Sequence, residues 1–115
     1  MPFLNITSNA DISPEDIDSL LREGAAICCE VLGKPADYMQ TAFNTATDMN
    51  MGSRQGQFAF GEVRSIGLPG DSIQRLSEQL STLLAERLQV PKGNIYLVFQ
   101  DIPADKWAWD GKTFG

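Results

Sequence analysis

Two residues in the chain are of the type and placement to move protons. The first is Pro2, directly behind Met1. Aminopeptidases commonly remove a Met that precedes so small a residue. Removal turns the Pro2 nitrogen from a tertiary amide, with neither basicity nor a proton, into a secondary amine. An unperturbed α-amine titrates near ~7.7–8.0, well below lysine. Burial and a neighbouring cation both disfavour its charged form and lower it further. A base poised near working pH at the end of a strand is what general acid–base catalysis requires. The second residue is Lys34, which could supply that cation and could also stabilise a carboxylate or enolate oxygen. Each has a plainer reading. Pro is tolerated at the first position of a strand because it has no N–H to give to the ladder, and Lys34 could be a solvated lysine after a helix end. The chain has no His, which removes the commonest general base and metal ligand. Cys28 and Cys29 are adjacent in a helical pattern and do not face each other, so no disulfide is expected between them. Cys28 falls on the apolar stripe and reads as a small core residue. Neither a metal nor a cofactor is expected.

Composition bounds the partners. At 115 residues the chain makes one domain with a modest core. A net charge of −6 argues against nucleic acid or an anionic membrane as partner, while a small anionic ligand stays compatible with a cation in the pocket. No stretch approaches the ~20 apolar residues of a membrane span. The first residues lack a basic region followed by an apolar run, so no signal peptide is expected. The expected location is cytoplasmic, with export independent of a signal peptide as the alternative.

The elements that would position these residues follow from periodicity. Residues 2–6 alternate, with Leu4 and Ile6 on one face and Phe3 and Asn5 on the other. Ser13-Pro14-Glu15-Asp16 starts a helix: a Ser cap, Pro at the first turn, then acids. Its apolar stripe is Ile17, Leu20, Leu21, Cys28, Val31 and Leu32, and Gly33 and Pro35 end it. Tyr38 to Thr45 reads as a second strand. Asp48 to Gly56 reads as a mobile hairpin loop. Gln57 to Ile66 is a third strand, interrupted in character by Gly61. A second helix, capped by Asp71 or Ser72, carries Ile73, Leu76, Leu80, Leu83, Leu84 and Leu88. Pro91 and Gly93 end it. The fourth strand, Ile95 to Asp101, points Ile95, Leu97 and Phe99 one way and Tyr96, Val98 and Gln100 the other. In the tail, Trp107, Trp109 and Phe114 surround Asp110-Gly111, a hairpin-turn dipeptide. So aromatic a tail is expected to pair with another sheet edge.

A shift of 56 residues superposes Ile17 on Ile73, Leu20 on Leu76, Leu32 on Leu88, Pro35 on Pro91 and Phe43 on Phe99. Each half is therefore strand–helix–strand, and right-handed crossovers make its two strands parallel. The predicted fold is α+β, a two-layer α/β sandwich in which two βαβ pseudo-repeats build a four-stranded sheet with both helices on one face. One domain spans 1–115, with halves at roughly 2–46 and 57–102 and an interface tail at 103–115. The helix-free face carries Phe3 and Tyr96, which predicts a symmetric oligomer.

The order of these pieces resembles the tautomerase superfamily, and within it the branch of macrophage migration inhibitory factor and D-dopachrome tautomerase. The matching pieces are Met1-Pro2, Gly33-Lys34-Pro35 with Tyr38, Ser65-Ile66-Gly67, Leu83 to Leu88, Ile95-Tyr96, and Trp109 with Thr113-Phe114. The resemblance covers essentially the whole chain. It implies a homotrimer with pockets at subunit boundaries and Pro2 as the base of keto–enol exchange on phenylpyruvate-like or dopachrome-like aromatic acids. Lys34, Ser65 and Ile66 would join Pro2, and Tyr96 would come from the neighbouring subunit. Tyr38, Trp109 and Phe114 would form an aromatic wall.

The chain departs from the cytokine members of that branch. Val98 stands where they carry an asparagine, and Trp107 where they carry a smaller aliphatic residue. Both bear on which substrate enters. Gln57-Phe58-Ala59-Phe60 holds no thiol, so thiol–disulfide chemistry does not carry over. The stripped-down rim leaves a second expectation open, a cytokine-like or host-modulating protein that binds a receptor and keeps only a vestigial pocket.

Overall fold

The structure is a computed structural model that describes residues 1–115. Strand β1 (Pro2–Ser8) leads into helix α1 (Pro14–Leu32), which returns the chain to β2 (Gln40–Thr45). The plan then repeats as β3 (Ala59–Ser65), α2 (Gly70–Leu88) and β4 (Ile95–Asp101). The four strands form one sheet in the order β2-β1-β3-β4. The outer pairs are parallel and the central β1–β3 pair is antiparallel. This is the predicted two-layer α+β sandwich, its two βαβ units joined edge to edge.

Alternation decides which side of the sheet is sealed. Along β1, Pro2, Leu4, Ile6 and Ser8 are buried while Phe3, Asn5 and Thr7 are only partly covered. Leu4 and Ile6 lie beneath the helices with Leu20 and Cys28 of α1 and Leu76, Leu80, Leu84 and Leu88 of α2. The contact is close. A Cβ on Gly24 of α1 would sit 2.6 Å from a Leu4 methyl, and one on Gly61 would sit 2.6 Å from a Leu97 methyl. Gly61 therefore does not interrupt β3. It pairs in register with Ile6 and Leu97 and leaves room for the Leu97 side chain.

Several boundaries differ from the sequence expectation. The second strand starts at Gln40, because Ala36–Tyr38 is a single 3-10 turn. The segment before β3 is not a hairpin loop, since β2 and β3 lie on opposite sides of β1. It crosses the end of β1 and is tied there: Ser8 Oγ donates to the Phe58 carbonyl at 2.7 Å, and Asn9 Oδ1 accepts from Phe58 N at 2.8 Å. Neither Asp71 nor Ser72 caps α2. The cap position is Pro69, which has no side-chain hydrogen bond, and Ser72 Oγ instead donates to the Pro69 carbonyl at 2.6 Å. Ser13, by contrast, accepts from Asp16 N as expected. The tail forms a two-stranded ribbon, β5 (Ala108–Trp109) with β6 (Lys112–Thr113), around Asp110-Gly111. Within the chain it pairs with itself and not with the main sheet. No helix is long and apolar enough to cross a membrane.

Candidate active site

Pro2 is buried at the start of β1, in register with buried Ser65 at the end of β3. The chain around Lys34 is bent by Gly33, whose φ of 65° lies in the left-handed region that glycine adopts without strain. Lys34 N then donates to the Cys29 carbonyl at 3.0 Å, closing the helix end. From there the half-buried Lys34 side chain reaches over the sheet, and its Nζ donates to the Ile66 carbonyl at 3.0 Å. The end of α1, the end of β3 and the start of β1 are thereby drawn to one place.

Electrostatics links the same groups. The terminal amine on Met1 is held below its ordinary value of 8.0, by burial first and by the Lys34 charge second, with Cys29 opposing. Burial pushes the Cys29 thiol up, and the amine opposes that shift. Pro2 lies deeper than Met1. An amine exposed at Pro2 by loss of Met1 would lie close to the same cation.

A cavity of about 260 Å³ opens beside this group. Met1 and Pro2 form one wall, Asp37 to Gln40 a second, and Trp107 to Trp109 a third. Tyr38 and Trp109 meet edge to face, ring centres 6.0 Å apart and planes at 82°, and both are substantially exposed. Met1 lines the cavity as well as acylating Pro2, so its removal would free the nitrogen at the cavity wall.

The site residues expected from sequence fall into two groups. Pro2, Lys34, Ser65, Ile66, Tyr38, Trp107 and Trp109 converge at this end of the sheet. Tyr96, Val98 and Phe114 do not reach the cavity within one chain. Tyr96 pairs with Phe60, five residues from the Asp101 that lies beside Ser65, or roughly 17 Å at ~3.3 Å per strand residue. It is 60% exposed on the helix-free face, with Val98 two residues further along the same edge strand. Phe114 faces a separate hollow with Trp109, and its N–H donates to the Trp107 carbonyl at 3.0 Å, so it braces the wall from behind. Asp37, Met39, Gln40 and Ala108 also line the cavity and were missed from sequence. Gln40 reaches the cavity through the sheet register. Parallel pairing of β1 with β2 sets the starts of both strands side by side, with Phe3 opposite Gln40.

Comparison with known proteins gives a consistent result. The family model described as "Macrophage migration inhibitory factor (MIF)" matches residues 1–115. A macrophage migration inhibitory factor homolog of Brugia malayi is 33% identical over 117 residues, covering all of both chains. Among solved structures, a macrophage migration inhibitory factor-like protein of Entamoeba histolytica superposes with a TM-score of 0.92 at 32% identity, covering 98% of each chain. A homologue from Prochlorococcus marinus superposes with a TM-score of 0.91 at 33% identity, covering 98% of this chain and 99% of its own.

Proposed function

The chain belongs to the macrophage migration inhibitory factor family, and from that premise we propose that it is a cofactor-independent keto–enol tautomerase of phenylpyruvate-like or dopachrome-like acids. One observation carries the reading: the buried start of β1 and the Tyr38–Trp109 aromatic pair line a single cavity, and the Lys34 charge bears on the amine in its wall.

In this reading Met1 is removed and the Pro2 nitrogen is the general base. It takes a proton from the carbon next to the substrate carbonyl, and the proton is returned at the oxygen, or the reverse. Lys34 stabilises the negative charge that develops on oxygen, in a site shielded enough for that charge to count. Burial first and the same cation second lower the amine below its ordinary value, which favours the basic form. The aryl group lies against Tyr38, Trp107 and Trp109. The working assembly is a homotrimer, in which a neighbour's Tyr96 and Val98 complete the pocket. The exposure of Tyr96 on an unpartnered sheet face supports that assembly.

The test is enol–keto conversion of phenylpyruvate by wild type and Pro2→Gly, after mass spectrometry has established that Met1 is absent. Loss of a general base predicts a fall in kcat/KM of at least about 10²-fold. The wild-type pH–rate profile should carry a basic-form limb with its midpoint below the ordinary amine value of 8.0. Equal rates in the two proteins would overturn Pro2 as base. Negligible wild-type turnover, with receptor binding that survives Pro2→Gly, would favour the cytokine-like alternative.

A further inference from the structure

The Ile66 carbonyl that receives Lys34 Nζ at 3.0 Å belongs to the peptide joining Ile66 to Gly67. The N–H of that same peptide donates to Asp101 Oδ1, also at 3.0 Å. No peptide bond in the chain is cis, so this carbonyl and this N–H point to opposite sides of one plane. A single rigid unit is thus held at both ends, by the Lys34 cation on its oxygen and by the Asp101 carboxylate on its hydrogen.

The local backbone does not fix that plane. Gly67 has a φ of 84°, in the left-handed region, and glycine crosses between positive and negative φ without a side-chain clash. A Cβ at Gly67 would meet nothing within 4 Å, so packing does not hold it either. Rotation of the plane would carry the Ile66 oxygen away from Lys34, whose long flexible stem would then lose its anchor. The hold comes from β4. Asp101 stands in register with Ser65, and Ile102 N donates to the Ser65 carbonyl at 2.8 Å. By alternation Asp101 lies on the side of β4 that carries Leu97 and Phe99 against the core, away from the open face of the sheet.

The matching strand end of the first half needs no such reach. There Ala10 N donates to Ser8 Oγ, two residues back, at 3.0 Å. Ser65 occupies the corresponding place at the end of β3, yet the Gly67 N–H turns to a carboxylate from another strand. A charged acceptor makes the stronger bond, and it polarises the peptide so that the far oxygen accepts better from a cation.

We propose that Asp101 is a positioning residue: acting through the Ile66–Gly67 peptide, it sets where the Lys34 ammonium stands relative to the Pro2 nitrogen. Its consequence for turnover rests on the tautomerase reading, whereas the placement of Lys34 can be measured on the resting protein.

In protein freed of Met1, nuclear magnetic resonance of isotopically labelled proline titrates the Pro2 amine directly. Lys34 and Cys29 are the titratable groups that act on the terminal amine. Asp101→Ala releases the peptide and with it Lys34, so the amine midpoint should rise towards 8.0. Loss of a negative charge acting directly on the amine would lower the midpoint instead, which separates the two causes by sign. Asp101→Asn keeps an accepting oxygen and should hold the midpoint nearer to wild type. In a Lys34→Gln background, Asp101→Ala should leave the midpoint where it is. With phenylpyruvate, Asp101→Ala should lower kcat/KM about tenfold, because a small misplacement of a charged group at the site is costly, and it should add little to Lys34→Gln. A midpoint that stays or falls in Asp101→Ala, or that rises as far in the Lys34→Gln background, would overturn the positioning role. The expected rise in a protein that turns over no phenylpyruvate would sink the tautomerase reading and leave the role of Asp101 standing.

Discussion

The two halves of this molecule share one plan and divide its labour. Helices α1 and α2 are each 19 residues long and start 56 positions apart, at Pro14 and Gly70. Yet α2 buries Leu76, Leu80, Leu83, Leu84 and Leu88, whereas α1 buries only Leu20, Gly24 and Cys28. The candidate-site positions of the first half carry core in the second. On that shift Lys34 becomes Val90, which is 3% exposed, and Pro2 becomes Phe58, which is 2% exposed. A duplicated frame thus holds a polar, half-open end in one copy and an apolar seal in the other. The difference teaches that the second half supplies the stability that lets the first keep a cation and an amine close together, an arrangement that electrostatics disfavours.

Three tests would sharpen or break that division. The largest effect is expected from Leu80→Ala. Leu80 is 1% exposed beneath the sheet, and a buried Leu→Ala change costs about 2–5 kcal/mol through lost transfer energy and the cavity left behind. Urea unfolding should show that loss, while kcat/KM per folded molecule stays close to wild type. A selective loss of activity with stability unchanged would show that the second half is more than a support.

An intermediate effect is expected from alkaline pH. Burial pushes the Cys28 thiol up to about 12, from an ordinary 9.0. The folded state thus favours the neutral thiol. The stabilisation is complete below pH 9.0 and is lost as pH rises towards 12. One proton taken up by the folded state alone gives a slope of up to about 1.4 kcal/mol per pH unit. Denaturation of wild type at pH 8.5 and 10.5 should therefore show a fall about 1–2 kcal/mol steeper than in Cys28→Ala. Parallel pH profiles would mean that the α1 core is wetter than its burial implies.

The smallest effects concern the helix ends, where the halves differ by one residue type. Both helices terminate in the left-handed region, at Gly33 with φ 65° and at Gln89 with φ 54°. A side chain there costs about 1 kcal/mol relative to glycine. Gly33→Ala should destabilise by about that amount, and Gln89→Gly should stabilise by about half to all of it. Thermal unfolding distinguishes the signs. Because Gly33 also aims Lys34, only Gly33→Ala should lower activity.

Much of this was legible before folding. The period of two in β1 and β4, the helical stripes, the Ser13 cap and the Asp110-Gly111 turn are local, since each depends on how neighbouring side chains project from one backbone element. So does the chemical potential of Pro2 and Lys34, which follows from residue type. The cap of α2 misled because Asp71 and Ser72 have the right chemistry, while the backbone had already entered the helix at Gly70. The segment before β3 misled because glycines mark a turn without saying which strands it joins.

The chain's own sequence determined the repeat, the helix-covered and open faces of the sheet, and the presence of a candidate base and cation, because spacing along one element fixes the side on which each residue lies. Only the tertiary structure decided which residues meet. Parallel crossovers set Gln40 beside Phe3, and the returning tail set Trp107 against Pro2. They also brought Asp101 to the Gly67 N–H and left Tyr96 at the far end of the sheet. Those encounters join residues tens of positions apart, and chain closure, not local periodicity, brings them together.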